Sequence, residues 1–158
     1  MQERITQSYL RFAQLYLRLA LGTGFTLLGL DRFGFWGPNG KSWVSWGDWA
    51  HFSAYAREVL GFLPSQLADV LAIIATIAEI TIGVLLLLGW LTRWAAIGSA
   101  ALTICFAIAM AISYGITSPI NYSVFTVSAA SLLLSTQPTH RWSLDALFDQ
   151  KNSPHQPQ

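Results

Sequence analysis

A glutamate, Glu79, stands in the middle of an apolar run that reads only as a membrane span, and Arg18 stands in an earlier one. Residues 19–30 carry no charge, but they number only 12. At about 1.5 Å per residue they cover roughly 18 Å, against a hydrocarbon core of about 30 Å. A helix crossing there must take in Arg18 and start near Phe12. Glu79 is trapped in the same way, because residues 70–78 and 80–91 are each too short to cross alone. A charge at such depth costs roughly 2.5–3.5 kcal/mol on insertion scales, so an ionisable residue inside a span is by default a functional-site candidate.

Composition points the same way. The chain has 158 residues, enough for one domain. It is 53% hydrophobic and 11% charged, where soluble domains carry about 25% charged residues. A net charge of +1 supplies no basic field for nucleic acid. The single cysteine, Cys105, excludes an internal disulfide or dithiol couple. His51, His140 and His155 are scattered singly and have no metal-ligand spacing, so no metal site is expected. Arg18 interrupts the first apolar stretch and no small-residue cleavage site follows, which reads as a retained helix rather than a signal peptide.

Four spans fit, at about 12–30, 67–88, 94–114 and 119–134. Ser118-Pro119 is a helix-start signal for the last of them. Short links after the second and third spans make those neighbours antiparallel. The expected fold is therefore all-α: a polytopic membrane protein built as an up-and-down bundle of four transmembrane helices. The membrane domain covers 1–136, and the polar tail 137–158 is predicted to be disordered, with at most a turn of helix over 143–150. The side holding both termini carries five Lys and Arg residues outside the spans, against three on the other side. That bias predicts both termini in the cytoplasm.

The long loop 31–66 holds Trp36, Trp43, Trp46 and Trp49. Indole rings favour the headgroup level. Trp49, Phe52, Ala56, Val59, Leu60 and Leu63 recur at helical spacing, with Asp48 placed to cap and Gly61 and Pro64 to end the helix. This predicts an interfacial helix over one mouth of the bundle; a helix that merely plugs the bundle end fits the same pattern. In the third span Ala95, Ser99, Thr103, Ala107, Ala111 and Gly115 form a small-residue stripe that reads as packing, as do Gly22 and Gly29 in the first.

Three readings of Arg18 and Glu79 compete. They form an ion pair that locks two helices; or Glu79 carries a proton or substrate in a cavity with Arg18 holding a polar ligand; or Glu79 is protonated while Arg18 snorkels to the inner surface. By depth, Arg18 lies about 9 Å from the inner boundary and Glu79 about 14 Å from the outer one. Their α-carbons then differ in height by roughly 5 Å, although their side chains lean in opposite directions, so an ion pair calls for a water, Thr76 or a tyrosine between them. Asp31 and Arg32 end the first span, and with His51 and Trp49 they form a candidate substrate entrance, or else only mark the membrane boundary.

These motifs resemble those of the DoxX family of small bacterial membrane proteins. Arg18-Leu19-Ala20-Leu21-Gly22 and Gly29-Leu30-Asp31-Arg32 look like its R-L-x-x-G and G-x-x-K, with arginine for lysine. Glu79, Gly83, Leu87-Leu88-Gly89 and Thr92-Arg93 look like its E-x-x-x-G, L-L-G and T-R pattern, and Asn121-Tyr122-Ser123-Val124-Phe125 also looks familial. The resemblance implies a four-helix bundle in the bacterial plasma membrane and a role near respiratory quinone. Some relatives are described as subunits of thiosulfate:quinone oxidoreductase, others as membrane partners of detoxifying redox proteins. It carries over Arg18 and Glu79 as candidate catalytic residues, and Arg32 with them. The expected function is a quinone-linked redox subunit, with quinone the implied cofactor and none bound covalently. A soluble redox protein, the lipid bilayer and further copies of the chain are the implied partners. The alternatives are a non-enzymatic scaffold for a soluble redox protein and a small transporter subunit.

Overall fold

Uninterrupted apolar sequence with strong helix formers gives the two longest interior elements. In the computed structural model, which describes residues 2–137 and 142–152, these are α3 (Ser65–Leu88) and α4 (Thr92–Tyr114). Both are long and apolar enough to cross a membrane. The other helices are α1 (Gln2–Asp31), α2 (Trp49–Val59), α5 (Thr117–Asn121), α6 (Val124–Ser135) and α7 (Leu144–Asn152). Among the described residues every regular element is helical. α1 starts well before Phe12, because nothing between Gln2 and Leu21 breaks a helix; the expected boundary concerned the membrane, and the helix runs past it.

α1 and α3 are antiparallel and close. Gly22 sits against Leu87 and the carbonyl of Gly83, Gly83 against Thr26, and Gly29 against the side chain of Ile80. A Cβ on Gly83 would lie 2.7 Å from the amide nitrogen of Thr26. α3 then stops at Gly89, whose φ of +65° is the left-handed cap. The amide of Trp90 reaches back to the carbonyl of Leu85 at 3.0 Å, and the chain reverses into α4. α4 packs antiparallel on α6 through its small stripe: Ser99 and Ser131 share a 2.7 Å hydroxyl bond, and Ser128 donates to the carbonyl of Ala100.

Two expectations are corrected here, and one open choice is narrowed. The segment 119–134 is not one helix: α5 and α6 are separated at Tyr122-Ser123, where Ser123 takes φ +56°. Asn121 and Ser123 hold helices poorly, and a left-handed residue breaks the ladder. The loop helix α2 forms with Asp48 as its cap, and its packing fits the plug reading. Phe52 and Ala56 bury against Ala72, and Val59 against Ala109 and Met110. Arg57 grips Asp69 with two bonds of 2.7 and 2.8 Å, and Ser113 bonds the carbonyl of Val59 at 2.7 Å. The amide of His51 donates to Asp48 and holds that carboxyl below its usual range.

The tail, finally, is partly ordered. Within α7, Asp145 accepts from the amides of Leu91 and Thr92, both at 2.8 Å, and its own amide donates to the carbonyl of Gly89 at 3.0 Å. α4 has no side-chain cap from its own flank, so Asp145 supplies one from 53 residues away. Residues 138–141 and 153–158 of the expected disordered tail lie outside the described residues.

Two outcomes follow from this packing. Gly83→Leu forces α1 and α3 apart and is expected to lower stability by about 1–3 kcal/mol, read as a fall in the detergent melting temperature. Asp145→Ala uncaps α4, costs about 1 kcal/mol, and speeds release of the C-terminal segment in limited proteolysis.

Candidate functional site

Antiparallel register decides which polar groups meet. Gly29 lies level with Ile80, so the next turn of α1 brings Arg32, one residue past the helix end, beside Thr76 and Glu79 of α3. Arg32 forms an ion pair with Glu79 through Nη2 and Oε2. Its Nη1 donates to Thr76 Oγ1, and that hydroxyl donates to the carbonyl of Ala72 at 2.8 Å. The guanidinium carbon lies 3.7 Å from the centroid of the Phe52 ring, a cation–π contact. Arg32 is 4% exposed and Glu79 6%. At that burial each charge depends on the other, since an isolated one would face the full desolvation penalty. Asp31, also buried, accepts from the amides of Ser45 at 2.9 Å and Trp46 at 2.6 Å through one oxygen. This fixes the loop, and Trp46 packs on Phe52 with ring centroids 5.5 Å apart.

Beneath the plug lies a cavity of about 810 Å³, walled by α1, α3, α4 and α6. Its lining is mostly aliphatic and aromatic, with Trp46, Phe52 and Tyr55 at the end that α2 covers. Among the described residues, Arg32 and Glu79 are the only charged ones that line it. Leu28 and Ile74, about half exposed, and the exposed Cys105 belong to its walls, so it opens on the flank of the bundle. A neutral, largely apolar molecule with one or two hydrogen-bonding atoms fits such a chamber.

The structure does not bring Arg18 to Glu79. Arg18 is buried at the turn between α3 and α4. Its Nη2 donates to the carbonyl of Trp142 at 2.7 Å, and its guanidinium lies against Gly89. Gly89 is ten residues, about 15 Å, from Glu79 along α3. Arg18 thus fastens the C-terminal segment at the opposite end of the bundle. His51 is exposed and bonded to Asp48, away from the cavity. Trp49 does not line it either; it packs against Phe52 and Phe33 with centroids 5.5 and 6.4 Å apart. Sequence reasoning offered Thr76 as a bridge between Arg18 and Glu79, but the structure gives it, with Phe52, to Arg32. The apolar spacing of α2 singled out Phe52, but only the folded plug puts it on the guanidinium. Among the described residues no group of three His, Cys, Asp or Glu could hold a metal ion.

Comparison with known proteins gives one family. A family model described as "Methylamine utilisation protein MauE" matches residues 10–121, a stretch that includes Arg18, Arg32 and Glu79. No curated protein and no solved structure matches the chain. The matched family is MauE rather than the DoxX family that the motifs resemble, and what the two share is the coarser statement, a small membrane protein.

Breaking the central pair on one side is expected to cost about 3–5 kcal/mol, because it strands a buried charge. Arg32→Met and Glu79→Gln should each lower the melting temperature in detergent. The double variant should recover much of the loss, and strictly additive losses would show that the two side chains act independently.

Proposed function

Because the chain belongs to the MauE family, a family of membrane proteins, we propose that it is a membrane redox subunit that holds a lipid-soluble quinone in the cavity beneath α2. In this reading α1, α3, α4 and the α5–α6 pair cross the bilayer, with α2 on the outer face and both termini in the cytoplasm. The observation that carries it is the pairing of a side-opening apolar chamber with one buried cluster of hydrogen-bonding charge. A quinone requires that combination: an apolar slot reached from lipid, aromatic contacts for the ring, and a donor and a proton for the carbonyl oxygen.

Arg32 would donate to a ring carbonyl, and Glu79 would carry the proton. With Asp31, Arg32 and Glu79 all ionised, the cluster has a formal charge of −1, so one proton on Glu79 brings it to neutrality. Reduction of the quinone to quinol takes two electrons and two protons. The single cysteine cannot form a dithiol couple within the chain, so the electrons come from a soluble redox protein. Glu79 passes one proton at a time, recharged from water at the outer mouth.

The test is solvent extraction of protein purified in mild detergent. Quinone is expected at up to one per chain, and Glu79→Gln should slow quinol formation by about 10²-fold or more, the scale of a lost general acid. Absence of quinone from the wild type, together with quinol formation indifferent to Glu79→Gln, would sink the reading. A second reading is favoured by Trp43 and Phe35, 70% and 66% exposed on the loop: a scaffold that tethers the redox partner without chemistry of its own. It is distinguished by substitutions at those two positions, which would then abolish partner binding while Glu79→Gln affected stability alone.

A further inference from the structure

Four of the glycines with neighbours close by are explained by packing or by turns. Gly22, Gly29 and Gly83 lie where α1 and α3 touch, and Gly89 takes a left-handed φ. Gly24 is different. It lies inside α1, its φ is not in the left-handed region, and a Cβ added there would meet nothing within 4 Å. A glycine in a helix interior costs roughly 1 kcal/mol relative to alanine, and neither packing nor backbone geometry accounts for this one. Gly24 does line the cavity.

So do Ala20, Leu28 and Arg32, which with Gly24 step along α1 at intervals of four residues. Each step rises about 6 Å and turns about 40°, so the four make a gently winding track about 18 Å long. Its upper end is the buried guanidinium, whose Nε has no hydrogen-bond partner. Its lower part is the narrowest possible wall, alanine and then glycine. Ala75 of α3 and Cys105 of α4 are further small residues on the walls.

We infer that this track is a lane for the tail of a single-chain quinone, with Gly24 setting its width. The inference rests on the quinone reading above and adds what part of the molecule is recognised: the ring at Arg32 and Glu79, and roughly the first 18 Å of tail along Leu28, Gly24 and Ala20. A leucine at 24 would narrow the lane, while its Cβ would meet no heavy atom within 4 Å.

Cys105 provides the readout, since it is the chain's single cysteine, is exposed, and lines the same cavity. The experiment follows alkylation of Cys105 by a lipid-soluble maleimide in purified protein stripped of bound lipid. Two probes with fully substituted rings, which do not add thiols, are compared: tetramethylbenzoquinone, without a tail, and a decyl-substituted ubiquinone. Wild type and Gly24→Ala should be protected by both, the decyl compound at concentrations about 10-fold lower or less. Gly24→Leu should keep protection by the tail-less ring and lose that tenfold advantage of the tail, with an unchanged or higher melting temperature.

If the tail keeps its advantage in Gly24→Leu, the lane is overturned while the quinone reading stands. If neither quinone protects the wild type, the quinone reading itself fails and the lane with it. A tail that gives no advantage in wild type, while both compounds protect, places the ring in the cavity and rejects the lane.

Discussion

The ion pair of Arg32 and Glu79 is the constraint around which the rest is arranged. A carboxylate two-thirds of the way along an apolar helix needs a partner that reaches it without water. That partner has to come from a neighbouring helix at the right height, which fixes the register of α1 on α3. Register in turn requires close approach, and glycines at 22, 29 and 83 permit it. The pair also needs its remaining surface covered. Thr76 takes one guanidinium nitrogen, and Phe52 covers the face. Covering the pair is therefore what gives α2 its place, and Asp31 secures the loop that leads to it.

The two ends of the bundle solve different problems. At one end α2 lies across the mouth and hides charge. At the opposite end the problem is the turn between α3 and α4, where a left-handed glycine is followed by a left-handed Leu91 and the first amides of α4 have no local acceptor. Asp145 and the backbone of Trp142 resolve this together with Arg18. Two arginines, one within α1 and one just past its end, thus serve opposite ends, one bound to a backbone carbonyl and one to a carboxylate. Between them the helices part enough to leave a chamber that opens sideways. A bundle packed tightly along its whole length would have no such volume, and the small residues of α4 are spent on α6 rather than on closing it.

Much of this was legible without coordinates. The all-helical class, the positions of α3 and α4, the cap at Asp48 and the packing glycines follow from run lengths, helix-end residues and the lack of any other use for a small side chain. Glu79 stood out because no span can be drawn without it. The identity of its partner did not follow. Arg18 and Arg32 are both within reach of a plausible height estimate, and a height estimate of one residue per 1.5 Å says nothing about which face of α1 meets α3 or which way a long side chain leans. The break at Ser123 was equally hidden, because no proline or glycine marks it.

Run lengths and charge spacing by themselves pointed to a helical membrane protein with ionisable groups inside its apolar runs. Only the tertiary structure decided that Glu79 meets Arg32, that Arg18 holds the C-terminal segment, and that Phe52, Tyr55 and Gly24 border one cavity. The reason is physical: periodicity along one helix fixes what shares a face, whereas partnership between helices depends on register and rotation, and these are set by contacts between residues far apart in the chain.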